Sequence, residues 1–329
     1  MGESSGRTFR TGLAFGIVAY TCWGFVPVYF NAVGKWNVPA DQLLAHRIAW
    51  SLPLLLLLTT AAGGWGELLR VLRSPRLVGV LLVSSVLLAG NWLMYIYASV
   101  TGQVAEASLG YFMMPLVNAF LATVVLKEKL RPAHYPALGL IAVGVLVPTV
   151  WAGSFPWLAV TLPVTFGLYG LVRKQVPVDG MTGLTVEAIL MLGPSVGYLV
   201  YVASQGDGHF GAADGKLDGL LMFSGLVTVV PLLTFTLSIR RLPLLANSFI
   251  QFLSPTVQFG LALVWIGEKF DAERWIAMGC TWAAVAVFIG DAVWQVRAGR
   301  SAGPAPSPAT GPAEQEPQPP PAAELAAAR

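Results

Sequence analysis

The length and number of its apolar stretches constrain this chain more than any other feature. Ten mostly apolar runs follow one another, at 11–31, 41–61, 77–98, 104–126, 132–152, 155–173, 182–203, 218–239, 243–266 and 273–295. A helix needs about 20 such residues to cross the hydrocarbon core of a bilayer. The runs are continuously apolar, whereas the strands of a membrane barrel alternate over about 10 residues. The expected fold is therefore an all-α polytopic membrane protein with ten transmembrane helices. Charged residues make up only 11% of the chain, against about 25% in soluble domains, so much of the surface must face lipid. No cleavable signal pattern follows Arg7 and Arg10.

Lysine and arginine placement orients the runs. With the N-terminus (1–10) inside, fifteen of the twenty basic residues fall on the cytoplasmic side, from Arg7 and Arg10 through Arg173 and Lys174 to Arg297, Arg300 and Arg329. Four fall outside (Lys35, Lys216, Lys269 and Arg274), and Arg47 lies within the second run. Both termini are thus expected in the cytoplasm. The basic residues follow topology and form no patch, so the +3 net charge does not point to nucleic acid. The Pro/Ala-rich segment 298–329 is too simple in composition to bury a core and is expected to be a disordered tail.

One stretch is written twice. Residues 108–147 match 248–287 at a fixed offset of 140 without a gap. The identities include Ser108/Ser248, Phe112/Phe252, Pro115/Pro255, Glu128/Glu268, Lys129/Lys269 and Gly139/Gly279. Apolar runs match by chance; Pro, Glu-Lys and Gly in one register do so far less. Each copy belongs to a block of five runs, 11–152 and 155–295. Five is odd, so the second block enters the membrane from the opposite side. That is an inverted repeat, the architecture of many secondary transporters, with substrate sites near the midplane where the halves meet. Pro115 and Pro255 both fall near midspan, where each frees a carbonyl and permits a gating bend.

An ionisable residue within a membrane is a functional candidate by default. Arg47 lies about six residues into the second run and would attract an anionic group or latch the outer gate; the plain alternative is a structural tie or snorkelling. Its partner at offset 140 is Glu187, expected near the opposite face and so not its ion-pair partner. Glu106 opens the fourth run on the outer side and would pair with Arg47, carry a proton or bind an amine. Glu106 and Glu187 can equally be acids favoured by a helix N-terminus. Asn91, Asn118, Gln251 and Gln258 offer donors and acceptors to a substrate, or serve as interhelical ties. Tyr20, Trp23, Trp92, Tyr95, Tyr111 and Tyr169 would wall an aromatic cavity, or pack as an interfacial belt. The Glu128-Lys129 and Glu268-Lys269 ends are expected to clamp neighbouring helices within each half.

Several stretches resemble the EamA family of the drug/metabolite transporter superfamily, and within it the RarD-type members. They are AYTCWGFVPVYF (19–30), LLAHRIAWS (43–51), NWLMYIYA (91–98), EASLGYFMMPLVN (106–118), LKEKL (126–130), FGLYGLVRK (166–174), GLTVE (183–187) and FIQFLSPTVQF (249–259). The resemblance implies a bacterial inner-membrane protein that transports or exports a small solute, and it names no substrate. The expected function is secondary transport, with Glu106 or Glu187 carrying the proton if transport is proton-coupled. The expected partners are a small-molecule substrate and the lipid bilayer. No Walker A sequence occurs, and Cys22, Cys280, His46, His134 and His209 form no metal motif, so neither cofactor nor metal is expected. The rival functions are a membrane-embedded enzyme, for which the clustered carboxylates are missing, and a channel or sensor.

Overall fold

A computed structural model describes residues 2–100, 104–152, 157–211, 215–261, 263–264 and 272–297. The tail at 298–329, Glu268 and Lys269 lie outside the described residues, and the side chain of Glu106 is not among those described.

The described residues form α-helices joined by short turns. They are α1 (Gly2–Gly34), α2 (Ala40–Ala61), α3 (Trp65–Leu72), α4 (Pro75–Val100), α5 (Val104–Val124) and α6 (His134–Ala152), then α7 (Trp157–Gln175), α8 (Gly180–Ser204), α9 (Gly215–Ile239), α10 (Leu244–Gln251), α11 (Leu253–Leu261) and α12 (Ala272–Arg297). Five are long and apolar enough to cross a membrane: Arg7–Gly34, Ala40–Ala61, Pro75–Tyr95, Gly180–Ser204 and Gly215–Ile239. Shorter apolar helices run over Met113–Val124, His134–Leu146 and Met278–Asp291. Prolines stand inside several of the helices, among them Pro27, Pro53, Pro115, Pro163, Pro194 and Pro231. Membrane helices tolerate them because neighbouring helices re-satisfy the freed carbonyls.

Two elements depart from expectation. The run at 243–266 is interrupted, with α10 ending at Gln251 and α11 beginning at Leu253. Pro255 explains the position: it has no N–H to give the Gln251 carbonyl, and its ring crowds that same oxygen. The Phe252 amide turns instead to Phe249 O at 3.3 Å. Pro115 has no such effect, and α5 continues through it. The connection after α2 also contains α3. Gly63, at φ +66°, makes the turn into it. Leu68 and Val71 of α3 are fully buried against Val176, Val178 and Val186.

The two halves of the chain interleave. Helices α1 and α2 lie against α9, α2 and α4 against α8, α4 and α5 against α7, and α6 against α12. At the centre, Tyr20, Tyr169, Leu232 and Phe235 form the main core with Trp23 and Phe166 packed on it. A second core joins α5, α6, α10 and α12, where Phe249 stacks on Phe288 at 4.2 Å.

Candidate functional site

Arg47 projects from α2 into the space between α2, α4 and α9. Its Nε donates to Thr228 Oγ1 at 3.0 Å. Its guanidinium lies 4.6 Å from the Trp92 ring centroid and 5.8 Å from that of Phe30. Aromatic faces are the usual consort of a partly desolvated guanidinium. Among the described residues no carboxylate lies within ion-pair distance of it.

Glu187 is 1% exposed on α8. Ser84 Oγ of α4 donates to its Oε1 at 2.5 Å, and the Tyr169 hydroxyl of α7 reaches its Oε2 at 3.5 Å. Arg173 Nε stands 3.6 Å from Oε1, and Arg173 itself is completely buried. The Arg173 Nη2 group donates to Gly180 O at 3.1 Å and, more distantly, to Asp179 O at 3.4 Å. Asp179 caps α8, its Oδ1 accepting from the amides of Met181 and Thr182. The guanidinium lies flat on the α8 backbone at Gly183, where a Cβ would meet Arg173 Nη1 at 1.9 Å. Only glycine leaves that room.

Sequence reasoning counted Arg173 as a cytoplasmic topology marker and missed this pair. A signal existed: a lone acid within an apolar run needs a cation, and Arg173 is separated from it by one short turn. Among the described residues, Arg47 and Glu187 are not paired with each other.

Trp92, Thr228, Ser51 and Glu187 line one cavity with apolar residues of α2, α4, α8 and α9. It is wide enough to admit water. Glu187 thus lines the cavity itself, between walls of Ile, Leu and Trp, and Arg47 lies behind Thr228 and Trp92.

The remaining candidates scatter. Tyr20, Trp23 and Tyr169 join Phe166 and Phe235 in one aromatic cluster, with centroids 5.1–6.2 Å apart. Tyr95 and Tyr111 meet edge to face at 6.1 Å. Asn91 spends its amide on Leu162 O and Thr165 Oγ1 of α7. Gln258 spends its own on Trp23 O and Ser254 Oγ. Asn118 and Gln251 line a second crevice with Tyr20, Phe166, Phe235 and Asn247. Asn247, buried between Tyr20 and Ser238, was missed; its partner at offset 140 is Ala107, so the repeat gave it no emphasis.

The Glu128 clamp differs from expectation. It does not stay within residues 11–152: its Oε1 accepts the Leu244 amide of α10 at 3.3 Å and stands 3.8 Å from Lys174 Nζ of α7. Lys174 Nζ in turn donates to Ile239 O and Leu242 O. Arg240 Nη1 donates to Val176 O and Val178 O. These groups form a polar clasp over the ends of α5, α7 and α9.

Known proteins resemble the chain over most of its length. The profile of the EamA-like transporter family matches residues 10–150. Protein RarD of Escherichia coli (strain K12) is 38% identical over 288 residues, covering 88% of this chain and 97% of that one. An uncharacterised transporter of Vibrio cholerae is 37% identical over 293 residues, covering 89% and 96%. A crystal structure superposes with a TM-score of 0.64 at 19% identity, covering 84% of this chain and 96% of the other; this likeness concerns the fold.

Proposed function

Because the chain belongs to the EamA-like transporter family, on its RarD-type branch, we propose that it is a secondary transporter whose solute passes the Arg47–Glu187 cavity. It is a multi-pass protein of the bacterial inner membrane and a transporter of some solute. The finer assignment is a ten-helix protein of two inverted halves, 11–152 and 155–295, working by alternating access with both termini inside and segment 298–329 as a disordered tail. Export is the direction we assign, on family likeness alone. No catalysis is assigned.

The observation that supports the site is that Glu187, Trp92 and Thr228 line one cavity inside the bundle, with Arg47 bonded to Thr228 and set over Trp92. Charges there are costly and mark substrate or ion pathways. Arg47 presents a cation with no described carboxylate beside it, suited to an anionic group of the solute. Trp92 supplies a flat apolar wall. Glu187 is the group we assign to proton coupling, with Glu106 as the alternative on the outer side, and release of Arg173 would accompany protonation. Pro255, and secondarily Pro115, are assigned to the gating movement.

Support for the inverted halves comes from the helix contacts, which occur in exchanged pairs. The contact of α1 with α9 has its counterpart in that of α7 with α4. That of α1 with α10 and α11 has its counterpart in that of α7 with α5, while α2 with α8 and α6 with α12 are their own counterparts. A two-fold axis in the membrane plane produces this pattern.

Reconstitution in proteoliposomes tests the proposal. Saturable flux of one solute from a metabolite panel is expected, reduced at least about tenfold, or about 1.4 kcal/mol, in Arg47→Ala with the fold retained. Flux unaffected by Arg47→Ala and Glu187→Gln would overturn the site and leave transport standing. Flux indifferent to an imposed pH gradient would remove Glu187 from coupling.

A further inference from the structure

The second crevice is a narrow cleft between α1, α5, α7, α9 and α10. The Tyr169–Phe235 stack stands between it and the first cavity: Tyr169 reaches Glu187, and Phe235 lines the crevice. Its polar groups have orientations fixed by their neighbours. Ser248 donates its only hydroxyl proton to Leu244 O at 2.9 Å. Its oxygen can then only accept from Asn118, whose Nδ2 faces it at 2.7 Å. The Asn118 carbonyl oxygen must point the other way, and it is buried without a partner. Gln251 Oε1 is in the same condition. Asn118 is 3% exposed and Gln251 5%, and both line the crevice.

The third group is the Tyr20 hydroxyl. Ser238 Oγ donates to Asn247 Oδ1 at 2.9 Å, which turns the Asn247 NH₂ toward Tyr20 at 2.7 Å. Tyr20 accepts that bond and keeps its own proton to give. The crevice therefore holds two unspent acceptors and one unspent donor, beside the rings of Phe166 and Phe235. Buried polar groups in proteins are almost always partnered, so two orphaned carbonyls facing one space call for a donor from outside the chain.

We propose that this crevice binds the primary carboxamide group of an aromatic or apolar solute. Asn118 and Gln251 accept its two N–H bonds, and Tyr20 donates to its carbonyl oxygen. In the present conformation the space is too narrow for a water molecule, so binding requires it to widen. The break between α10 and α11, at Phe252 beside Gln251, is where α10 can move. Gly167 on α7 keeps the opposite wall low: a Cβ there would stand 2.9 Å from Asn118 Oδ1.

Equilibrium binding of benzamide to the full-length protein in nanodiscs tests this. Wild type is expected to bind benzamide at least about tenfold more tightly than N,N-dimethylbenzamide, which has the same ring and carbonyl but no N–H. Gln251→Leu and Asn118→Leu should each weaken benzamide about tenfold. Gly167→Ala, which keeps both amide residues but crowds Asn118 Oδ1, should weaken it similarly. Equal affinity for the two probes, no benzamide binding to wild type, or full affinity in Gly167→Ala and Gln251→Leu would overturn the proposal. Binding is read without transport. A protein that binds benzamide and moves no solute refutes the transport proposal alone; one that transports and ignores benzamide refutes this one alone.

Discussion

Arg173 and Glu187 are both buried, and each is the charge partner of the other at 3.6 Å. Removing one charge should cost far more than removing both. Glu187→Gln is expected to destabilise the protein by roughly 3–5 kcal/mol, while Arg173→Met/Glu187→Leu should recover most of that loss. Thermal unfolding in detergent, run as a double-mutant cycle, measures it; additive losses would mean the pair is energetically idle. Gly183→Ala puts a methyl group into the Arg173 guanidinium and should cost about 1–3 kcal/mol or more by the same assay. Arg47 and Glu187 were legible in the sequence because a charge within an apolar run stands out. Arg173 was not, because a basic residue at a helix end fits topology equally well. For Asn91 and Gln258 the sequence left substrate contact and interhelical tie both open; each gives its amide NH₂ to a backbone carbonyl of a neighbouring helix. That distinction depends on which helices adjoin, which residue type alone does not carry.

At the scale of elements, the two matched prolines have different outcomes. Pro255 stands where the helix is interrupted, and Pro115 stands within a continuous one. Pro255→Ala restores an N–H for the Gln251 carbonyl and should join α10 to α11. The expected gain is about 0.5–1.5 kcal/mol from one hydrogen bond, with slower hydrogen exchange across 251–256 and slower transport. Pro115→Ala should change exchange in α5 much less. Equal effects from the two substitutions would remove Pro255 from its hinge role. The long helices were legible because twenty apolar residues admit one solution in lipid. The break was not placed, since a proline within an apolar run is compatible with a kink, a continuous helix or an interruption. Helix α3 was hidden because its two buried residues, Leu68 and Val71, sit in a short segment among Gly and Arg that also fits a loop.

For the whole molecule, apolar runs and their spacing suggested the helix count and the doubled block, but not which helix lies against which. In lipid, one apolar face resembles another, and close packing decides the match. The clasp of Glu128, Lys174, Leu244 and Arg240 is a contact of that kind, and it closes one end of the bundle. Lys174→Met should loosen it. A cysteine at Leu242, which is fully buried, should then react severalfold faster with a membrane-impermeant maleimide, in a background with Cys22 and Cys280 replaced by alanine. An unchanged rate would mean that the clasp does not hold that end shut. The interleaving of the halves also bears on how the protein is made. Thr228, the hydrogen-bond partner of Arg47, comes 181 residues later in the chain. At about 5–20 residues per second of synthesis, α2 waits roughly 10–40 s for α9. During that time its arginine must be sheltered by the insertion machinery, by lipid headgroups or by Trp92, which emerges sooner. Until α9 emerges, Arg47 lacks its Thr228 partner, so substitutions at position 47 should be felt during insertion as well as in the finished protein.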